Sequence, residues 1–476
     1  MQNIKNLKDP TRWICSLGIL SLIVLMGQVK PAELAKVICR DHDTTITCDC
    51  NNEGEQNWVL PQLKGAVDRI EVRNCPDLIV ETHTVTHTEG LRKIRFQHIG
   101  QLVLHEYGLS VSRYASNKAL IVEFEDVNFH LIDSHAINGN IDEISFVGGS
   151  IEKMQPFGFT TIKERAILLK LEDVTIQRIE SQAFKKFSVE QMIIANCHFT
   201  GNLPTRAFYE VEVLNELSIR NNQFLEVHSL AFALKFISKL SLSENRFVSV
   251  DGEWLEAPIR DAITMRSNDF GITSDIAFKG LKVHRDYKLS ERLELRFHNN
   301  TVRSWLPTSS VIAVDGLGKG QENAVVVASP LPLHFHDGFS LSLREVRYDN
   351  AWNCDQLDRS VEPPLPRANF FRQYSEQLLF QRQAPERWSG TEVNEFVPLR
   401  QIIAEQCHVA SYVAYIVVGS VLLSLLLVAI LLLLWWRLAQ RRKRRKLDVV
   451  QPEPRTYKET QIVYQIENAG LLKTDM

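Results

Sequence analysis

The chain has 476 residues, 45% hydrophobic and 23% charged, proportions that fit folded domains and exclude a wholly disordered protein. Its formal charge of −3 is unevenly spread: residues 437–476 hold ten Lys/Arg against five Asp/Glu, residues 1–35 hold four against two, and −10 is left for residues 36–436. That acidic balance argues against nucleic acid or heparin as the main partner of the central region.

Taken from the N-terminus, Lys5, Lys8 and Arg12 precede the apolar stretch Trp13–Met26. A basic start, a short apolar core and small residues beyond it (Gly27 and Ala35 are candidate cleavage points) predict a secretory signal over residues 1–35. The following region is then expected in an oxidising compartment, where cysteines pair.

From Ile70 to about Tyr348 one pattern recurs: apolar residues two apart, a pivot three further on, then another apolar residue two beyond it. Ile94-Phe96-Ile99, Leu169-Leu171-Val174-Ile176, Leu217-Ile219-Asn222-Phe224 and Leu295-Phe297-Asn300-Val302 are examples. The pivots Cys75, Ile99, Val127, Gly149, Val174, Cys197, Asn222, Asn245, Asn268, Asn300 and Val346 lie 24, 28, 22, 25, 23, 25, 23, 23, 32 and 46 residues apart, and the last interval has room for a degenerate repeat. Such a unit cannot bury its apolar face alone. Stacked on its neighbours, it contributes to a continuous core. Ala-Phe pairs follow the strands at Ala183-Phe184, Ala207-Phe208, Ala231-Phe232 and Ala277-Phe278.

These residues resemble the extracellular leucine-rich-repeat family, whose L-x-L-x-x-(N/C)-x-L core has this period. The resemblance implies a solenoid of about 10–12 strand-plus-return repeats over residues 70–348, with pivot asparagines bonding backbone groups as a ladder. Pivot asparagines occur only from Asn222 onward, so a parallel β-helix is the rival fold for the first half.

Cys39, Cys48 and Cys50, before the first strand, resemble the family's N-terminal cap, here residues 36–69; Cys75 departs from that spacing by standing at a repeat pivot, and the four allow three pairings between which sequence does not choose. The segment AWNCD around Cys354 is similar to a C-terminal cap motif lacking its second cysteine, which implies Cys407 as the mate, in a cap and linker over 349–408. Cys197 is left over, as a buried thiol. Asn299-Asn300-Thr301 is a glycosylation sequon with Asn299 as acceptor. Glu362–Arg367, proline-rich, reads as a rigid linker.

No enzyme is expected, because GxSxG, HExxH and P-loop patterns are missing. Neither Gly316–Gly320 nor His334-Phe335-His336-Asp337 has a context that makes it a phosphate or metal site, and no cofactor is expected. Outward strand positions in the later repeats carry Arg220, Arg266, Arg296 and His298 interleaved with Ser218, Ser241, Ser243 and Thr264. Aligned on a solenoid, they form a face for a protein partner, either another extracellular protein or a second copy.

Val409–Trp436 contains no ionisable Asp, Glu, Lys, Arg or His, exceeds the ~20 residues a bilayer needs, and ends at Trp435-Trp436 and the basic block Arg441–Lys446. It predicts a single span at 409–436 with residues 437–476 as a disordered cytoplasmic tail at the plasma membrane. In that tail Glu467, Leu471 and Leu472 match an acidic dileucine sorting signal, and Thr474 and Met476 match a PDZ-type terminus. The expectation is a type I membrane glycoprotein for adhesion or reception, with adaptor or scaffold partners at the tail. The alternative is an anchor that works mainly through that tail.

Overall fold

Apolar residues at alternate positions make strands that bury one face, and here each strand is followed at a fixed offset by a residue in the left-handed region. Asn74, His98, Asp126, Gly148, Asp173, Asn196, Asn221, Ser267 and Asn299, each directly before a pivot, have φ between 52° and 77°. Asn, Asp and Gly tolerate this conformation best, which is why they are common there. The chain therefore turns sharply at the same point of each repeat, and a second left-handed series, His83, Tyr107, His135, Phe157, Gln182, Arg206 and Leu230, recurs further along it. The result, in a computed structural model describing residues 35–50, 58–111, 119–286, 292–305, 332–350, 352, 370–382 and 395–447, is a β-solenoid.

A coil has a long strand on a first face, the corner, a strand on a second face, another corner and a short strand on a third face. Glu212–Arg220, Gln223–Val227 and Phe232–Ala233 form one coil, and each pairs in parallel with the next coil at Phe236–Ser243, Arg246–Val250 and Leu255–Arg266. First-face pairing runs from Thr45–Asp49 on Arg69–Arg73 to Leu293–His298 on Phe339–Arg344. The last pair shows that no coil intervenes on that face, so the 46-residue interval hides no stacked repeat; part of it, residues 306–331, lies outside the described residues. The Ala-Phe pairs mark the third face: Phe184, Phe208 and Phe232 stack at 4.7 and 4.6 Å.

The two halves turn the first corner differently. In the early coils Lys93–Leu104 and Ile121–Ile132 are single twelve-residue strands that pair from one face through the corner to the other. In the later coils the strand breaks at the corner and buried asparagines take over. Asn245 Nδ2 donates to Ile219 O (2.7 Å) and Asn268 Oδ1 (2.9 Å), while its Oδ1 accepts from the Asn222 backbone N–H (3.1 Å). Asn222, Asn268 and Asn300 repeat this, with Nδ2 donating to Ile194 O, Leu242 O and Met265 O. The ladder ends on the Cys197 N–H, which donates to Asn222 Oδ1 at 2.8 Å. The expected ladder is present, inside a coil that also carries strands on the other faces.

The core is a column of Ile, Leu, Val and Phe side chains, nearly all buried. Rings at equivalent positions stack along it: Phe199, Phe224 and Phe247 at 4.4 and 4.7 Å. Each such side chain contributes roughly 1.5–3 kcal/mol by leaving water. The N-terminal end carries Cys39–His42 antiparallel to Thr45–Asp49, with disulfides Cys39–Cys48 and Cys50–Cys75. At the other end Leu378–Gln381 pairs with Val346–Tyr348 and, antiparallel, with Phe396–Pro398.

Residues 1–402 and 403–476 are two separate units. In the second, His408–Leu447 is a 40-residue helix, of which Ala414–Lys443 is long and apolar enough to cross a membrane. Its hydroxyls satisfy themselves: Ser420 and Ser424 donate to Val417 O and Val421 O at 2.8 Å.

Candidate surface for a partner on the first face

Residues that alternate with the buried ones on the first face point outward, and the parallel register sets them in rows about 4.8 Å apart. One row runs Glu172, Ala195, Arg220, Ser243, Arg266, His298, Arg344, and the row beside it Lys170, Ile193, Ser218, Ser241, Thr264, Arg296, Ser342. Arg220, Arg266, Arg296 and His298 are thus brought onto one surface, as the spacing implied.

They differ in what holds them. Arg220 reaches back over Ala195 to Glu172 at 3.7 Å, and Arg296 pairs with Glu294 at 2.8 Å on its own strand. That pairing, chiefly the Arg296 hydrogen bond, holds the Glu294 carboxyl below its ordinary range. Arg266 is exposed with no ion-pair partner among the described residues. His298 is half-buried with Nε2 3.1 Å from Ser342 Oγ; burial lowers its pKa, and the charges of Arg344 and Arg296 lower it further.

Two cations missed in the sequence complete the surface. Arg344 sits two residues before the Val346 pivot, the offset of Arg220, Arg266 and His298 from theirs, so the same count would have found it. Lys239 extends a third row from Gln191 and Glu216. From Ser218 to Arg344 the three rows hold five cations (Arg220, Lys239, Arg266, Arg296, Arg344) and the carboxylate Glu294; Glu216 stands next to Lys239, and Asp261, paired with Arg260, lies on the strand Leu255–Arg266. Beside this patch an open pocket of about 170 Å³ is lined by Gln191, Ile193, Glu216, Ser218 and Arg220.

The other candidate residues lie elsewhere. Cys39, Cys48, Cys50 and Cys75 form the two bridges given above, and Cys197 is buried and free. Its thiol donates to Ala195 O at 3.3 Å, and burial pushes its pKa up to about 11. Asn299 occupies a left-handed corner beside His298, with Nδ2 donating to Ser267 Oγ at 3.2 Å. His334 pairs with Asp275 at 3.4 Å, and among the described residues no group of His, Cys, Asp and Glu is placed to hold a metal ion. Cys354 lies outside the described residues, as do Gly316–Gly320, Glu467, Leu471, Leu472, Thr474 and Met476; Cys407 is in a helical turn, Ile403–Cys407, whose last side chain is likewise outside them.

Fold and surface together define a β-solenoid protein with one membrane-length helix among the described residues. No family model matches the chain, and neither does any curated protein or solved structure.

Proposed function

We propose that the chain is a type I plasma-membrane glycoprotein without enzymatic activity, whose leucine-rich-repeat-like solenoid binds protein partners outside the cell in adhesion or reception. The observation that carries this reading is the cationic first face, with Arg266 and Arg344 exposed and without ion-pair partners among the described residues, on a chain that also has a membrane-length helix. Uncompensated guanidinium groups on a flat sheet do no work for the fold, and they suit carboxylates on another surface. The block Arg441–Lys446 after the helix supports a cytoplasmic C-terminus by the positive-inside rule, where the dileucine and PDZ-type motifs would meet adaptors or scaffolds.

The test uses cells expressing the full chain. An antibody to the solenoid should stain them intact, and one to the last 25 residues only after permeabilisation. Adhesion to like or unlike cells should survive deletion of residues 447–476 and fall with Arg266→Glu and Arg344→Glu together. Loss on deleting the tail, with the double variant unaffected, would instead identify the tail as the working part.

A further inference from the structure

The pocket and the cationic row lie side by side, and together they specify more than a positive surface. On the strand Ser188–Ala195, Gln191 and Ile193 reach the surface of the first face, both uncharged, and Ala195 is covered. Ile193 makes the apolar floor, Gln191, Ser218 and Glu216 stand around it, and Arg220, held by Glu172, closes one end, so an aliphatic side chain and not a carboxylate suits the pocket itself. Small-molecule sites usually measure roughly 300–1,000 Å³. A pocket of about 170 Å³ is small by that measure and suits one protruding side chain. From it the cations lead away along the solenoid: Arg220, then Arg266 two strands on, then Arg344 two strands further, with Ser243 and His298 between.

We infer that the first face takes an acidic polypeptide segment, which seats one aliphatic side chain on Ile193 and lays its carboxylates along Arg220, Arg266 and Arg344. The inference rests on the reading of this face as the docking surface, and it names the chemistry of the occupant. The row is built of arginine, whose planar fork matches a carboxylate through two parallel hydrogen bonds. Ser218, Ser241, Thr264 and Ser342 supply neutral donors and acceptors between the charges. The backbone of these strands is already engaged in the parallel ladder, so the occupant is read by side chains and not added as a further strand. A sulfated glycan is the weaker fit, because it has no use for an apolar floor. An isolated aliphatic anchor in a pocket, rimmed by polar contacts that exclude water, is how compact interfaces concentrate their affinity.

The experiment pans a phage-displayed library of random twelve-residue peptides against the purified full chain in lipid nanodiscs. Heparin fragments serve as competitors. The expected outcome is enrichment of net-negative peptides with an aliphatic residue at a constant place. Their affinity should fall at least tenfold with Ile193→Asp, and at least tenfold with Arg266→Glu plus Arg344→Glu. Both variants should keep the wild-type melting temperature, because all three side chains point outward. Lack of enrichment, enrichment of neutral or basic peptides, equal binding to the variants, or tighter binding of heparin than of the peptides would each overturn the inference. Selection on purified chain does not depend on which side of a membrane the solenoid faces. It can therefore fail while surface staining succeeds, and the reverse.

Discussion

The coils before Cys197 and those from Asn222 onward have the same width, register and faces, yet their first corners are satisfied by different groups. In the early coils with pivots Ile99, Val127 and Gly149 the backbone ladder bends through the corner, Val127 pairing with both Ile99 and Gly149. In the later coils the ladder stops, and each Asn side chain supplies the missing donor and acceptor across to its neighbour. One shape has two chemical solutions. The side-chain solution places several buried polar groups on each pivot, and so it is the more easily broken by a single change.

The comparison is tested first at its strongest point. Asn245→Leu strands the Asn222 N–H and the Ile219 carbonyl and leaves the Asn222 amide only Ile194 O, with an expected loss of roughly 2–6 kcal/mol at one to three for each of the two orphaned groups. Val127→Ala, at the same place in the early half, should cost roughly 2 kcal/mol by loss of packing alone. Equal losses in urea unfolding would show that the ladder adds nothing beyond packing. Next is Gly149→Ala. Gly149 has φ of 77°, and a Cβ there would lie 2.1 Å from Val127 O. The expected cost is roughly 2–3 kcal/mol, confined to the early half. Cys197 stands at the boundary, and Cys197→Asn should extend the ladder by one rung toward Leu171 O, with stability within about 1 kcal/mol of wild type. A larger loss would mean that the early coils cannot accept the side-chain solution. The same thiol, with its pKa near 11, should resist iodoacetamide at pH 8 until the chain unfolds.

Two smaller effects concern the outward surface. Arg266→Glu should change stability by less than about 0.5 kcal/mol, as an exposed unpaired cation. His298 has its pKa lowered in the folded chain, so below the ordinary His value the unfolded state binds more protons. Its contribution therefore erodes as pH falls from about 6.5 toward the folded value. Melting curves between pH 7 and pH 5 should show a shallower acid-side fall for His298→Gln.

How much of this was legible follows from the length of each signal. The first-face strands carry two or three inward residues at a fixed distance from a pivot, and repetition makes that unmistakable. The third-face strands Phe184–Lys185, Phe208–Tyr209 and Phe232–Ala233 are two residues long and show no alternation, so only the Ala-Phe spacing announced them. The left-handed corners went unread, because the Asn, Asp and Gly that precede many pivots are interrupted by His98, Glu244 and Ser267, which adopt the same conformation at greater cost. On the surface, the row Arg220, Arg266, His298 was found by counting from pivots. Arg344 escaped because the insertion before its strand breaks the period. The Ile193 pocket is lined by Gln191 and Ile193 from one coil and by Glu216, Ser218 and Arg220 from the next, a conjunction no single repeat displays. The pairing of four cysteines needed the register of the first two coils.

That register gives the bridge Cys50–Cys75 a kinetic meaning. A stacked array opens most readily from its termini, where a coil has one neighbour. The bridge ties the end of the first coil to the corner of the second across 25 residues. A strand that peels away there stays tethered and re-docks before the opening can travel inward. Unzipping from that side is stopped at its first step, and proteolysis should enter the solenoid from the opposite end.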